Sequence, residues 1–123
     1  MKRYTLKDLR ADFPTERACL EAIIKHQFPS GIYCPVCKRV TKHHFMRKRR
    51  SVSCQHCGHH VHPTANTIFH NTRTPLTTWF EVIYLMAQTR GGISAKQIER
   101  QTGVTYKTAW RMCRMIRTRL FPD

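Results

Sequence analysis

Cys34-Pro35-Val36-Cys37 and, after an interval of sixteen residues, Cys54-Gln55-His56-Cys57-Gly58 are the stretches that decide how this chain folds. Each C-x-x-C pair can close a tight knuckle that aims two sulfurs at one point, and two knuckles supply the four thiolates of a tetrahedral zinc ion. The interval, residues 38–53, is long enough for a β-hairpin that brings the knuckles together. Gly58 follows the second pair, where the backbone leaving a knuckle needs a residue free to take positive φ. A thioredoxin-like redox pair would need one C-x-x-C at a helix start, not two in a β-prone segment. Cys34, Cys37, Cys54 and Cys57 are therefore expected to hold one structural Zn2+. Four thiolates leave no open coordination position for catalysis. His56, His59, His60 and His62 crowd the same segment and read as bystanders, some near the thiolates or facing phosphate.

The flanks are helical in pattern. Residues 1–13 carry a weak helical signal; after Phe13-Pro14, Thr15 can cap a helix whose Ala18, Cys19, Ala22 and Ile23 recur at helical spacing. That helix stops near Phe28-Pro29-Ser30-Gly31, and Cys19 on its apolar face reads as core. Short β-prone stretches follow at 40–46, 50–53 and 60–62. From Pro75 the period becomes helical again. Leu76, Trp79, Phe80, Ile83 and Ala87 form an apolar face with Thr77, Glu81 and Gln88 as its polar stripe, up to Gly91-Gly92. Ser94 and Gln97 have capping-box spacing, Gly103 supplies a turn with Val104 buried in it, and Thr105 caps a last helix over 106–120. On that helix Ala109, Cys113, Ile116 and Leu120 make an apolar stripe flanked by Trp110 and Met112. Lys107, Arg111, Arg114 and Thr118 fall on the other side. The expected class is α+β: an N-terminal helical segment (1–31), a four-cysteine zinc ribbon built on a β-hairpin (32–73), and a three-helix helix-turn-helix domain (74–123).

Charge narrows the partner. Twenty-two Lys and Arg against seven Asp and Glu give a net charge of +15 on 123 residues, which draws a polyanion. Double-stranded DNA fits the short-turn helix pair, whose second helix enters a major groove and reads it near its N-terminal end. Thr105, Tyr106, Lys107, Thr108 and Arg111 are the expected base readers, with Arg114, Arg117 and Arg119 on phosphates. Arg47, Lys48, Arg49 and Arg50 stand at the hairpin tip, where four adjacent cations favour a phosphate contact. A membrane partner is not expected, since no long apolar stripe occurs. The start lacks an apolar leader, which makes a reducing cytoplasm the expected compartment and disulfides unexpected. A stand-alone transcriptional regulator remains an alternative. An RNA-binding zinc ribbon is a weaker one, because the ribbon offers only Tyr33 and Phe45 for stacking.

Taken in order, Phe13-Pro14-Thr15-Glu16, the two C-x-x-C pairs, Thr64-Ala65-Asn66-Thr67-Ile68-Phe69-His70, Pro75-Leu76-Thr77-Thr78-Trp79-Phe80, Gly92-Ile93-Ser94 and Thr105-Tyr106-Lys107-Thr108-Ala109-Trp110-Arg111 resemble a known family. They are similar to the N-terminal zinc-ribbon and helix-turn-helix region of bacterial insertion-sequence transposases of the DDE type. The resemblance implies binding to the terminal inverted repeats of a mobile element, on nucleoid DNA, alongside a catalytic domain or a second copy of the chain. Asn66 stands where such proteins usually have Gly, a substitution a left-handed turn tolerates. In that family, strand cleavage belongs to a following RNase H-like domain with an acidic triad. The acids here do not rebuild one: Asp8, Asp12 and Glu16 are interrupted by Pro14, and Glu81 and Glu99 lie on separate helices. No catalytic site is expected in this chain.

Overall fold

The computed structural model describes residues 3–46, 50–65, 67–70, 72–89 and 92–120. Their elements run α1 (Leu6–Asp12), α2 (Glu16–Gln27), β1 (Tyr33–Cys34), β2 (Arg39–Val40), β3 (His43–Phe45), β4 (Val52–Cys54), β5 (His60–Val61), α3 (Leu76–Gln88), α4 (Ala95–Thr102) and α5 (Tyr106–Arg119). The class is α+β. Two compact units form, Arg17–His70 and the pair Met1–Glu16 with Asn71–Asp123. The segment 1–31 drawn from composition is thus shared, α1 belonging with the C-terminal helices and nearly all of α2 with the ribbon.

In the ribbon unit, α2 buries Cys19, Leu20 and Ile23, so Cys19 is core as its spacing predicts. The expected single hairpin is in fact two small antiparallel sheets, β1-β2 and β3-β4-β5. Each knuckle forms the turn of its own hairpin: Cys34 pairs with Arg39 across the first, and the Cys54 N–H donates to the His59 carbonyl across the second. The stretch 40–46 splits because its backbone changes partners midway. The Thr41 N–H donates to Ile32, on the β1 side, while the Lys42 carbonyl accepts from Gln55, at the end of β4. β4 is buried along its whole length, as a central strand between β3 and β5 must be. The β3–β4 hairpin closes with the Met46 N–H on the Ser51 carbonyl, the two residues that bracket the stretch 47–50 in sequence. Of its cations Arg50 is half-buried; Arg47, Lys48 and Arg49, like Asn66 and Gly91, lie outside the described residues.

The helical unit is centred on α3, which meets α1, α4 and α5. α1 opens with a reciprocal capping box between Thr5 and Asp8, stronger than the weak signal read there. α3 buries Leu76, Trp79, Val82 and Met86, whereas Phe80 and Ile83 are half-buried and Ala87 is exposed. The expected apolar face is thereby corrected by part of a turn. α3 ends at Thr89, before the glycines expected to stop it, and the Thr89 hydroxyl donates to the Leu85 carbonyl. α4 has the expected box, Ser94 accepting from the Gln97 N–H and Gln97 accepting from the Ser94 N–H. Gly103 ends it at φ 81°, the left-handed region. Val104 is only half-buried; Ile93 and Ile98, on either side of the Ser94 cap, carry the burial instead. α5 starts at the Thr105 cap and buries Ala109, Met112, Cys113 and Ile116. Leu120, placed in the stripe by its spacing, is exposed because it is the C-cap, where the packed face has ended. Fully buried side chains such as Trp79, Met86, Ile98 and Ile116 each contribute about 1.5–3 kcal/mol of apolar burial.

Candidate metal centre and nucleic-acid interface

The knuckles bring four sulfurs into one cluster: Cys34, Cys37, Cys54 and Cys57, with all ligand atoms within 4.8 Å of one another. Cys34 Sγ lies 3.4 Å from Cys57 Sγ, and Cys37 Sγ 3.9 Å from Cys54 Sγ. A zinc tetrahedron with metal–sulfur bonds of about 2.3 Å has edges of about 3.8 Å, so these thiols fit one zinc ion. No cysteine of the chain is in a disulfide. Both knuckles use the same backbone device. The N–H of Lys38 donates to the Cys34 carbonyl and that of Gly58 to the Cys54 carbonyl, with φ 57° at Lys38 and 77° at Gly58. The sequence reading found the device at Gly58 and missed it at Lys38, although both occupy the first position after a C-x-x-C.

Polar groups prepare the sulfurs for metal. The Cys37 N–H points at Cys34 Sγ from 3.4 Å. The Thr41 hydroxyl, 3.1 Å from Cys54 Sγ, holds that thiol down at about 5. Loss of water and hydrogen bonds among neighbouring sulfurs push Cys37 up to about 12. Cys57 is also raised, with burial and the Cys34 thiol outweighing the His59 backbone contact that lowers it. Among the metal-free thiols, Cys54 is thus held toward the thiolate and Cys37 toward the thiol. Thr41 was not singled out by sequence, because nothing in its spacing distinguishes a hydroxyl that faces a sulfur. His56, His60 and His62 are exposed and His59 half-buried, and none joins the thiol cluster.

The residues expected to meet DNA divide by what they do locally. Lys107, Arg111 and Arg114 are exposed, on the side of α5 opposite Ala109, Met112 and Ile116. Tyr106 is exposed as well, with Lys96 Nζ 5.0 Å above its ring. Thr105 and Thr108 serve the helix start: the Thr105 hydroxyl accepts from the Thr108 N–H and donates to the Thr108 hydroxyl. Arg117 ties α5 to the start of α4 by donating to the Ile93 carbonyl at 3.0 Å. Trp110, read as a flank of the apolar stripe, is half exposed and has the Arg114 guanidinium 5.5 Å over its ring. Among the described residues, no helix is long and apolar enough to cross a membrane.

Fold and site together define a zinc-ribbon protein with a compact unit of helices beside the ribbon in sequence. Residues 14–60 match the family described as the transposase zinc-ribbon domain, of the IS1595 group. The match falls on the ribbon, in agreement with the resemblance carried by its motifs. Over 101 residues, 80% of this chain, it is 26% identical to an uncharacterized protein in the transposable element ISH50 of Halobacterium salinarum. The chain spans about a third of that relative's length, 34%. No solved structure matches the chain.

Proposed function

We propose that this chain is the DNA-binding part of a transposition system and recognises the terminal inverted repeats of a mobile element. One observation carries the reading: α5 presents Lys107, Arg111 and Arg114 on its exposed side, and its start is fixed by the left-handed Gly103 and the Thr105 cap. A short turn and a fixed first residue are what a recognition helix needs to enter a major groove with a defined register. Tyr106, Lys107 and Arg111 read base edges. Thr105 and Thr108 hold the helix start at the groove, and Arg114 meets phosphate. The ribbon is held by zinc and carries a second basic element, Arg47, Lys48, Arg49 and Arg50, that grips backbone phosphate. The protein acts on nucleoid DNA in the cytoplasm, together with a transposase catalytic domain or a second copy of itself.

On this reading the chain takes no catalytic step. Its described carboxylates each have a local task. Asp8 caps α1, Asp12 accepts from the Tyr4 hydroxyl at 2.7 Å, and Glu16 accepts from the Leu76 N–H. Glu21, Glu81 and Glu99 pair with Arg17, Arg10 and Lys96. Two-metal strand cleavage would need several of them converging on one pocket. The test is binding of the zinc-loaded protein to a labelled duplex carrying the element's terminal repeat, against a permuted duplex of equal composition. The repeat is expected to bind at least about tenfold more tightly, since each bidentate base contact contributes about 1–3 kcal/mol of discrimination. Equal affinity for both duplexes would contradict the reading.

A further inference from the structure

Within the helical unit, the flank of α5 and the residues leading into α4 enclose an open groove of about 650 Å³. Its walls include Tyr106, Trp110, Arg114 and Arg117, with Ile93 and Cys113 supplying buried apolar surface. That volume lies inside the range of about 300–1,000 Å³ typical of small-ligand sites. At 100° per residue, Tyr106, Trp110 and Arg117 lie about a quarter turn round the helix from Lys107, Arg111 and Thr118. Trp110 and Arg117 therefore lie off the face assigned to base readout, and the groove borders that face at Tyr106 and Arg114.

Its chemistry is unusual for a solvated flank. Trp110 is 50% exposed and Tyr106 44%, two large rings one helical turn apart that leave substantial apolar area in water. Two guanidiniums, Arg114 and Arg117, line the same groove, and no described lining residue is acidic. Each has a local contact: Arg114 stands over the Trp110 ring at 5.5 Å, and Arg117 donates to the Ile93 carbonyl. Exposed rings beside cations are what a single nucleotide needs, with a π-face for its base and charge for its phosphate. A paired base in a duplex has no exposed face to offer.

We infer that this groove binds an unpaired nucleotide of DNA, its base stacked on Trp110 and its phosphate held by Arg117, beside the Tyr106 and Arg114 that serve the duplex. The inference rests on the DNA-binding reading above and adds a second mode of contact, one that requires a frayed, flipped or single-stranded position next to the bound duplex. A groove occupied by a protein partner would be expected to pair its cations with carboxylates, and this alternative is an arm of the test.

The full-length, zinc-loaded chain is titrated with a blunt duplex, the same duplex bearing a three-nucleotide single-stranded tail, and an acidic polyglutamate peptide. Trp79 is 1% exposed, so a fluorescence change reports Trp110. The tailed duplex is expected to bind about fivefold or more tighter than the blunt one and to quench the emission. Trp110→Ala should abolish the tail's advantage while leaving blunt-duplex affinity, zinc content and far-ultraviolet dichroism unchanged, and Trp110→Phe should restore most of it. Equal binding of blunt and tailed duplexes by the wild-type chain would overturn the groove's role and leave the duplex reading standing. Tail-dependent quenching without blunt-duplex binding would overturn the duplex reading alone. Saturable quenching by polyglutamate without any tail preference would assign the groove to a protein and overturn the inference.

Discussion

At Cys54 the Thr41 hydroxyl is the foremost of several hydrogen bonds that favour the thiolate, and this has a consequence for how the metal is taken up. The thiolate is the form that binds zinc. With the hydroxyl 3.1 Å away, Cys54 ionises at about 5 instead of its ordinary 9.0, so it already presents a thiolate at neutral pH. In Thr41→Val the Cys54 proton is held more tightly, so more of it must be displaced by the metal. Zinc affinity should therefore fall relative to wild type, and the gap should widen as pH drops below the ordinary thiol range and close above it. Competition with a chromophoric chelator across that range checks it, and a pH-independent ratio would count against the assignment. Glycines make the second residue-scale prediction. Gly103→Ala adds a Cβ that meets nothing within 4 Å, so it should cost only the strain of a left-handed alanine, about 1–2 kcal/mol. Gly31→Ala has the same kind of strain at φ 99° and also sets its Cβ 2.7 Å from Val40 Cγ1, so it should destabilise more. Urea denaturation of the two zinc-loaded variants tests the order.

Helix ends were more legible in the sequence than helix faces, and the difference is physical. Ser94 with Gln97, Gly103 and Thr105 are specific backbone devices whose function depends on neighbours within three or four residues, and they are found where the pattern puts them. α3 is apolar almost all round, so its periodicity cannot choose among faces. Packing against α1, α4 and α5 selects Val82 and Met86 over the expected Ala87. Leu120 fails for a related reason, since a stripe extrapolated by spacing continues past the point where the helix stops. Similarly, spacing pairs the knuckles but cannot reveal that each closes its own hairpin, because the exchange of partners between Thr41 and Lys42 is made by backbone groups every residue has. On α5 the exposed cations should divide by task. Arg111→Ala is expected to relax preference at one position of the site by about 1–3 kcal/mol. Arg114→Ala should weaken all duplexes alike and reduce the salt slope by about one. Affinities across a panel of single-base variants distinguish the two, and a uniform loss for Arg111→Ala would remove it from base readout.

At the scale of the molecule, zinc and hydrophobic burial have separate territories. The unit Arg17–His70 contains the four thiols and strands of only two or three residues, too little regular structure to order itself without the ion. The other unit has its own core, from Leu76 and Trp79 to Met112 and Ile116. Chelation should therefore abolish amide protection in β1–β5 while α3, α4 and α5 keep theirs, as hydrogen exchange resolved by residue would report. Loss of protection everywhere at once would mean that the helices depend on the metal too. The sequence made the ribbon and the helix pair recognisable but not the membership of α1, because a short polar helix with one buried leucine, Leu9, carries almost no periodic signal of where it packs.

The central claim, that a zinc-held ribbon and a recognition helix serve sequence-specific DNA binding, is tested most directly by selection from a randomised duplex pool at near-physiological salt, with and without a chelator. An enriched motif is the expected result, with binding to it weakened when zinc is removed. Tight, salt-sensitive binding of every duplex with no enrichment would contradict it, leaving the +15 charge as the whole of the interaction.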